Sequence, residues 1–227
     1  MTQTLRLVMF DMDGTLIDSQ DVIHEAMRRA FAQMGLPALP KAKVLSIVGL
    51  SLENAISTLM PDLSDKEVAE GVALYKQCFI ALRAEQGGEA SAPLYAGVQE
   101  VLDRLAQDDF LLMGVATGKA RRGLDHAYKS HNIGGYFVTH QTADNHPSKP
   151  HPSMLHSALR ETGVDARQAV MIGDTSFDMD MANAAGYHAI GVDWGYHPVS
   201  ALASADHILG SMFDLPDYLK THWETRR

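Results

Sequence analysis

The sequence predicts an α/β protein, a doubly wound parallel sheet that carries an inserted helical cap. Four short apolar runs recur along the chain, as expected for strands buried on both faces of a parallel sheet. Helical patterns lie between these runs, which is the alternation of a doubly wound fold. One long stretch breaks the alternation, because it contains helical patterns only. The apolar runs are residues 5–10, 111–116, 169–172 and 189–192.

The stretch between about residues 19 and 88 contains four helical patterns and no strand pattern. In the first, apolar residues recur at helical spacing until Gly35 ends the pattern. In the last, Ser64 and Glu67 have the spacing of a capping box, whose two side chains satisfy the first free amides of a helix. The predicted helices are 22–34, 41–48, 52–60 and one that begins after Ser64. Four consecutive helices indicate a cap inserted into the core.

Two flexible segments are expected to connect the cap to the core. Residues 18–20 lead out of the core, and residues 86–93, rich in glycine, alanine and serine, lead back. We therefore predict an α/β core over residues 1–17 and 92–227, and a helical cap over residues 18–91.

Composition and charge exclude several classes of protein. The chain has 227 residues, 46% of them hydrophobic and 21% charged, which is typical of a globular protein. Its apolar runs are too short to cross a bilayer and its start lacks a secretory signal, so we predict a cytoplasmic protein without a membrane partner. A formal net charge of −9 argues against non-specific nucleic-acid binding, but not against a small phosphorylated substrate. The single cysteine, Cys78, is predicted to pack in the interior.

Two aspartates follow directly after the first predicted strand. Asp11 and Asp13 are two residues apart, so their side chains point to the same side where the chain remains extended. Paired carboxylates repel each other unless a cation offsets their charge, or a reaction uses one as nucleophile and the other as proton carrier. The alternative is a turn whose acids cap the next helix. An EF-hand loop is excluded because Leu16 and Val22 stand where it needs glycine and glutamate.

The second predicted strand leads into Thr117, Gly118 and Lys119. A threonine hydroxyl and the amide of a following glycine are suitable donors to a phosphoryl oxygen. The segment is not a P-loop, because Met113 and Ala120 stand where that loop needs a glycine and a serine or threonine.

Lys149 lies between Ser148 and Pro150, before a helix predicted to begin near Pro152. A lysine here can neutralise charge on a phosphate and on a nearby carboxylate nucleophile. The alternative is a solvated lysine in a surface loop.

Asp174 follows the third predicted strand, and Asp178 lies four residues later at the start of a helix. Hard divalent cations prefer carboxylate oxygens, and magnesium takes only one or two carboxylates from a protein. Asp174 therefore fits a magnesium ligand, with Asp178 as a second or water-mediated ligand. The alternative is a pair of helix-capping acids.

All four segments lie at, or just after, the carboxyl ends of strands in one predicted sheet. Ligands of open α/β sheets bind at that edge. Each segment alone has a simple structural explanation, but their coincidence at one edge favours a shared site.

Together the four segments resemble the ordered motifs of the haloacid dehalogenase superfamily. The matching residues are Asp11-Met12-Asp13-Gly14-Thr15, Thr117-Gly118, Lys149, and Gly173-Asp174 with Asp178. The resemblance covers essentially the whole chain and implies a Rossmann-like sheet with a helical cap. The insertion, together with the segment Tyr95-Ala96-Gly97-Val98, is similar to the subgroup that contains phosphoglycolate phosphatases and β-phosphoglucomutases.

The resemblance implies a role for each matching residue. Asp11 attacks phosphorus in line and forms an aspartyl-phosphate, while Asp13 protonates the leaving oxygen and then activates the hydrolytic water. Mg²⁺ is held by the Asp11 carboxylate, the Asp13 main-chain carbonyl and Asp174, with Asp178 in support. Thr117 and Lys149 bind the phosphoryl oxygens. The residues implied to bind substrate are Gly14, Thr117, Gly118, Lys119 and Lys149.

Asp13 favours phosphate chemistry, since dehalogenases of the superfamily lack the second acid of the first motif. We therefore predict a magnesium-dependent phosphatase acting on a small metabolite, either phosphoglycolate-like or a sugar phosphate. One alternative is a phosphosugar mutase of the β-phosphoglucomutase type, which shares the core residues. Another is a non-catalytic phosphate-binding regulator, which is disfavoured because the chain keeps the nucleophile, the acid and the lysine.

Selectivity is expected to come from the cap. Residues 49–52 are a candidate loop that reaches the pocket, and Lys41 or Lys43 is a candidate anion ligand. The alternative is a simple helix break beside a solvated basic edge.

Several histidines crowd the sequence around Lys149. Their spacing matches no common zinc pattern, so we expect a surface loop in this region. The histidines are His140, His146, His151 and His156.

Overall fold

Six parallel strands form one open sheet in the computed structural model, which describes residues 4–87 and 92–225. The strands are β1 Arg6–Phe10, β2 Leu111–Thr117, β3 Thr139–Thr142, β4 Ala169–Gly173, β5 His188–Val192 and β6 His207–Leu209. Their order across the sheet is β3-β2-β1-β4-β5-β6. Because β1 lies inside the sheet and the chain winds outward to both sides, the predicted doubly wound parallel sheet is confirmed.

The four predicted apolar runs correspond to β1, β2, β4 and β5. The apolar runs of the sequence do not include β3 or β6, which form the two edges of the sheet. These strands have only four and three residues, and His140 and His207 interrupt any apolar run. An edge strand has one neighbour and one partly open face, so it forms without the apolar pattern on which the prediction depends.

The described residues contain nine α-helices. Four lie between β1 and β2 with no strand among them: α1 Gln20–Gln33, α2 Lys41–Leu45, α3 Leu52–Leu59 and α4 Asp65–Gln86. We call these four the helical insertion. The other five flank the sheet: α5 Val98–Leu105, α6 Arg121–His131, α7 Ser153–Thr162, α8 Ser176–Ala185 and α9 Leu215–Glu224. None of the described helices is long and apolar enough to cross a membrane.

The core lies on both faces of the sheet. Val8 and Phe10 of β1 pack in an apolar cluster with residues of α5, α6 and α9. Leu7 and Met9, which point the other way, pack with residues of α7 and α8. All four side chains are fully buried, which explains why the first strand has no polar alternation.

The helical insertion has an apolar cluster of its own. Met27 of α1 and Val72 of α4 are buried together in it. The capping box at the start of α4 is present: Ser64 N donates to Glu67 Oε2 over 2.8 Å, and Glu67 N donates to the Ser64 hydroxyl. Cys78 is buried in this region, so its predicted packing role is confirmed.

The boundaries between core and cap stay a prediction. Residues 88–91 of the expected return segment, and residues 1–3 at the start of the chain, lie outside the described residues. The outgoing segment is shorter than expected, because Gln20 is already the first residue of α1.

Candidate active site

The residues singled out in the sequence meet at one edge of the sheet. Asp11 follows β1, Thr117 ends β2 and Asp174 follows β4. Because β1 pairs in parallel with both β2 and β4, these side chains start from adjacent strand ends. Lys149 reaches the same place from the segment before α7.

Asp11, Asp174 and Asp178 form a buried cluster of carboxylates. One oxygen of each lies within 4.8 Å of the other two, and all three residues are at most 1% exposed. Lys149 contacts this cluster with its ammonium group. Its Nζ lies 2.8 Å from Asp11 Oδ1 and 2.6 Å from Asp178 Oδ1. Three carboxylates beside one ammonium place an excess of negative charge in the interior.

Burial and mutual repulsion disfavour the ionised forms of Asp11 and Asp174. Burial raises the pKa of Asp11 to about 7, with Lys149 opposing the shift and Asp178 and Asp13 adding to it. Burial, followed by the charges of Asp11 and Asp178, raises the pKa of Asp174 well above its usual range. Burial alone would lower the pKa of Lys149, but Asp11 and Asp178 raise it overall, so the lysine stays charged.

This set of oxygens fits a divalent cation. Asp11 Oδ1 is paired with Lys149 Nζ, but Asp11 Oδ2 has no hydrogen-bond partner among the described residues. A buried carboxylate oxygen without a hydrogen bond is unfavourable, and a cation between Asp11 and Asp174 would offset both the burial and the repulsion. Carboxylate oxygens are the ligands that Mg²⁺ prefers in proteins.

Neighbouring segments fix the orientation of the Asp174 carboxylate. Thr15 Oγ1 donates to its Oδ1 over 3.0 Å, and Tyr196 N donates to its Oδ2 over 2.8 Å. Gly14 packs against the same carboxylate: its φ is +88°, and a Cβ there would overlap Asp174. Packing therefore explains why a glycine stands at position 14, and its contact with substrate stays a prediction.

Asp178 both joins the cluster and caps α8. Its Oδ2 accepts hydrogen bonds from Thr175 N and Thr175 Oγ1, over 3.1 and 2.7 Å. Its Oδ1 contacts Lys149. The helix-capping alternative therefore holds for Asp178, whose remaining oxygen positions the lysine.

Asp13 has separate partners from the buried cluster. Its Oδ2 lies 2.7 Å from Lys119 Nζ, and Ser19 Oγ donates to its Oδ1. Ser19 is held in turn by Tyr196, whose hydroxyl accepts from Ser19 N over 2.8 Å. The sequence analysis does not identify Ser19 or Tyr196 as site residues. These two residues are 177 positions apart, so no local pattern indicates their contact.

The helical insertion closes over the end of β2, where Thr117 is buried. A Cβ at Gly118 would lie 2.6 Å from the carbonyl oxygen of Gly49, which belongs to the insertion. Nearby, Ser51 N donates to Ser148 Oγ over 2.8 Å. The segment between α2 and α3 therefore contacts the core beside two of the motifs.

A cleft of about 1250 Å³ separates the helical insertion from the core. Asp11, Asp13 and Thr117 line it from the core side. From the other side it is lined by Gly49 and Leu50, so the predicted loop does reach the pocket. A concave, mostly apolar cleft with a few charged groups is typical of a site for a small molecule.

Lys41 and Lys43 do not line this cleft. Lys41 pairs with Asp21 over 2.6 Å at the surface, and Lys43 is exposed. The two lysines therefore belong to a solvated basic edge of a helix. The prediction that one of them binds an anion in this cleft is wrong. The wall instead contains Lys76, Arg83, Lys119, Arg122 and Lys129.

A single surface loop is expected from the sequence around Lys149, but the structure does not have one there. His140 lies in β3, where its Nδ1 is 2.9 Å from the Tyr128 hydroxyl. His146 contacts Gln141 and Ser153, so it ties β3 to the start of α7. The expectation is wrong because β3 is too short and polar to be recognised from its sequence.

Gly118→Ala is expected to lower kcat/KM for phosphate esters by about 100-fold, since a displacement near 1 Å at a reacting centre has effects of this size. The added methyl group would meet backbone carbonyls of the insertion, which cannot rotate away as a side chain can. Gly135→Ala is a matched control, because nothing lies within 4 Å of its Cβ position. Steady-state kinetics of both variants test this, and similar values for the two would show that the close contact at Gly118 is dispensable.

Comparison with protein families gives an independent result. The family model for haloacid dehalogenase-like hydrolases matches residues 8–192. This range includes all four sequence motifs and the helical insertion.

Individual relatives are similar to this chain along most of their length. A Dickeya dadantii protein with the curated name "Probable phosphatase IndB" is 34% identical over 203 residues, which cover 88% of this chain and 86% of that protein. A Photobacterium profundum protein named phosphoglycolate phosphatase is 30% identical, with 95% of this chain and 96% of that one covered. A solved haloacid dehalogenase-like family hydrolase from Streptococcus pneumoniae superimposes with a TM-score of 0.80 at 25% identity, covering 96% of this chain and 99% of that chain.

Proposed function

Because this chain belongs to the haloacid dehalogenase-like hydrolases, we propose that it is a magnesium-dependent phosphatase of small metabolites that uses Asp11 as its covalent nucleophile. The observation that carries this proposal is the environment of Asp11. Its carboxylate is buried, its Oδ1 is paired with Lys149 Nζ over 2.8 Å, its Oδ2 has no hydrogen-bond partner among the described residues, and it lies at the wall of a cleft. Lys149 therefore holds one oxygen of the carboxylate in place, and the other oxygen is available to react.

In the first half of the proposed reaction, a carboxylate oxygen of Asp11 forms a bond to phosphorus while the bond from phosphorus to the ester oxygen breaks. The leaving alkoxide takes a proton from Asp13, which enters the step in its acid form. Lys149 and Thr117 neutralise or hydrogen-bond the phosphoryl oxygens, over which charge is spread in the transition state. Ser19 and Lys119 hold the Asp13 side chain in place.

In the second half, water attacks the phosphorus of the aspartyl-phosphate and gives a proton to the Asp13 carboxylate. The bond between phosphorus and Asp11 breaks, so phosphate leaves and the carboxylate of Asp11 is regenerated. Asp13 ends the cycle protonated, as it began, and the net reaction consumes one ester and one water.

Mg²⁺ would be held by the carboxylates of Asp11 and Asp174 and the main-chain carbonyl of Asp13, with Asp178 in support. When bound, it supplies positive charge that stabilises the transferring phosphoryl group. The cluster geometry supports this assignment, since the oxygens of Asp11, Asp174 and Asp178 lie within 4.8 Å of one another.

We propose a phosphoglycolate-like ester as the preferred substrate class. The relatives named phosphoglycolate phosphatase support this choice. Their name also favours a phosphatase over the alternative of a phosphosugar mutase. A cytoplasmic location, and the absence of a nucleic-acid partner, remain predictions from the sequence.

Turnover of p-nitrophenyl phosphate is expected to require Mg²⁺, to stop in excess EDTA and to return when Mg²⁺ is restored. Ca²⁺ is expected to inhibit, because its larger radius and looser coordination disturb the in-line arrangement. Asp174→Asn should raise the Mg²⁺ concentration for half-maximal rate by about tenfold or more.

The control for this measurement is Asp109→Asn, the same chemical change at an exposed position. Full activity in EDTA would contradict the metal requirement. A failure of the wild-type protein to hydrolyse any phosphate monoester with Mg²⁺ present would contradict the proposed function itself.

A further inference from the structure

Arg83 is a buried cation in the wall of the cleft with unused hydrogen-bonding capacity. It lies on α4, is only 8% exposed and lines the cleft. Its Nη2 donates to Ser130 Oγ over 3.0 Å, which fixes one end of the guanidinium group. Its Nε has no hydrogen-bond partner among the described residues. A buried charge of this kind is unfavourable unless an anion completes the site.

The surroundings of Arg83 are positive, although the protein as a whole carries a formal charge of −9. Burial lowers the pKa of His126, and the nearby charges of Arg83, Lys129 and Arg122 lower it further. All four side chains contribute to the cleft wall. Mutual repulsion among these groups is relieved by a bound anion.

Two acidic residues of the same wall have partners other than Arg83. Asp125 is paired with the Arg121 side chain over 2.7 Å, and Asp144 accepts a hydrogen bond from Arg121 N. Arg121 itself is not part of the cleft lining. Two of the wall's carboxylates therefore contact Arg121, whereas Arg83 donates a hydrogen bond to the uncharged Ser130 side chain.

Arg83 lies against the same aromatic ring as Lys119, which contacts Asp13. Lys119 Nζ lies 5.4 Å from the centroid of the Phe79 ring, and Arg83 Cζ lies 6.0 Å from the same centroid. Lys119 is in contact with Asp13, whose charge in turn acts on Arg83. A small molecule with its phosphoryl group at Asp11 can therefore extend along Phe79 toward Arg83.

We propose that Arg83 binds a second anionic group of the substrate, a carboxylate or a second phosphate, and so selects phosphate esters that carry one. This inference rests on the proposed phosphatase function and specifies its substrate class. The planar guanidinium group suits oxyanions, because it presents several N–H donors in a fixed arrangement. Arg83 would be a specificity-determining residue and would take no part in the bond-breaking steps.

The test compares pairs of esters that differ only in the second anion. One pair is 2-phosphoglycolate and 2-hydroxyethyl phosphate, and the other is propane-1,3-diol bisphosphate and its monophosphate. For each protein, the measured quantity is the ratio of kcat/KM for the ester with the second anion to kcat/KM for the ester without it. Arg83→Met should lower this ratio by about 10- to 100-fold for the pair that carries the preferred anion, as expected for loss of a charged hydrogen bond. Arg83→Lys should give an intermediate ratio.

The ratio does not depend on the fraction of folded protein, because both esters are measured on the same preparation. Arg28→Met is the matched control, since Arg28 lies on the outer surface of α1 and pairs with Glu25. Unchanged ratios for both pairs in Arg83→Met would overturn the inference. Because the esters without a second anion report phosphatase activity by themselves, that result is distinct from a failure of the proposed function, in which wild-type protein hydrolyses none of the four.

Discussion

Asp11→Asn is expected to abolish phosphatase turnover without destabilising the protein. Asparagine has nearly the same shape, but its amide is a far poorer nucleophile than a carboxylate, so kcat should fall on the order of 10⁴-fold or more. Steady-state rates with saturating Mg²⁺ measure this effect. Trapping of a phosphorylated protein after acid quench should succeed for the wild type and fail for the variant.

The expected effect of Asp11→Asn on stability distinguishes loss of chemistry from loss of fold. Asp11 is one of three buried carboxylates that share a single ammonium group, so removing its charge reduces repulsion with Asp174 and Asp178. In EDTA the variant should therefore unfold at the same temperature as the wild type or higher. Asp109→Asn serves as the exposed control and should change neither property. Near-normal turnover by a folded Asp11→Asn protein would refute covalent catalysis by this residue.

The inner part of the site could be predicted because its residues follow strands that the sequence reveals. β1, β2 and β4 are buried on both faces, so each appears as an apolar run. A parallel sheet then places the residues after those runs at one edge. Asp11, Thr117 and Asp174 could be grouped in this way without any knowledge of distant contacts.

The outer part of the site could not be predicted, because it depends on how the insertion sits on the core. Arg83 lies within a long helix whose sequence gives no sign that this position faces a cleft. Tyr196 and Ser19 are 177 positions apart in the sequence, and only the folded chain brings them into contact. Conversely, Lys41 stands at the start of a short helix but turns to Asp21 at the surface. These positions follow from tertiary packing, which local patterns do not encode.

Lys149→Met is expected to lower kcat/KM by about 10²- to 10³-fold for every phosphate ester, because it removes a contact to the phosphoryl group that all of them share. The effect of Arg83→Met should differ, because it should depend on whether the ester carries a second anionic group. Methionine fills a similar volume without the charge. Lys43→Met, at an exposed position, is the matched control and should leave kcat/KM unchanged for each ester.

Lys149→Met should also make the fold depend on a divalent cation. The variant leaves Asp11, Asp174 and Asp178 buried without their ammonium partner, and loss of one member of a buried ion pair costs about 3–5 kcal/mol. For a chain of this size, the unfolding temperature in EDTA should fall on the order of 10 °C. Mg²⁺ should restore more of this loss than it adds to the wild type, since the cation then offsets a larger negative charge. Equal Mg²⁺-induced shifts in the two proteins, measured by thermal unfolding, would show that Lys149 and the cation do not neutralise the same carboxylates.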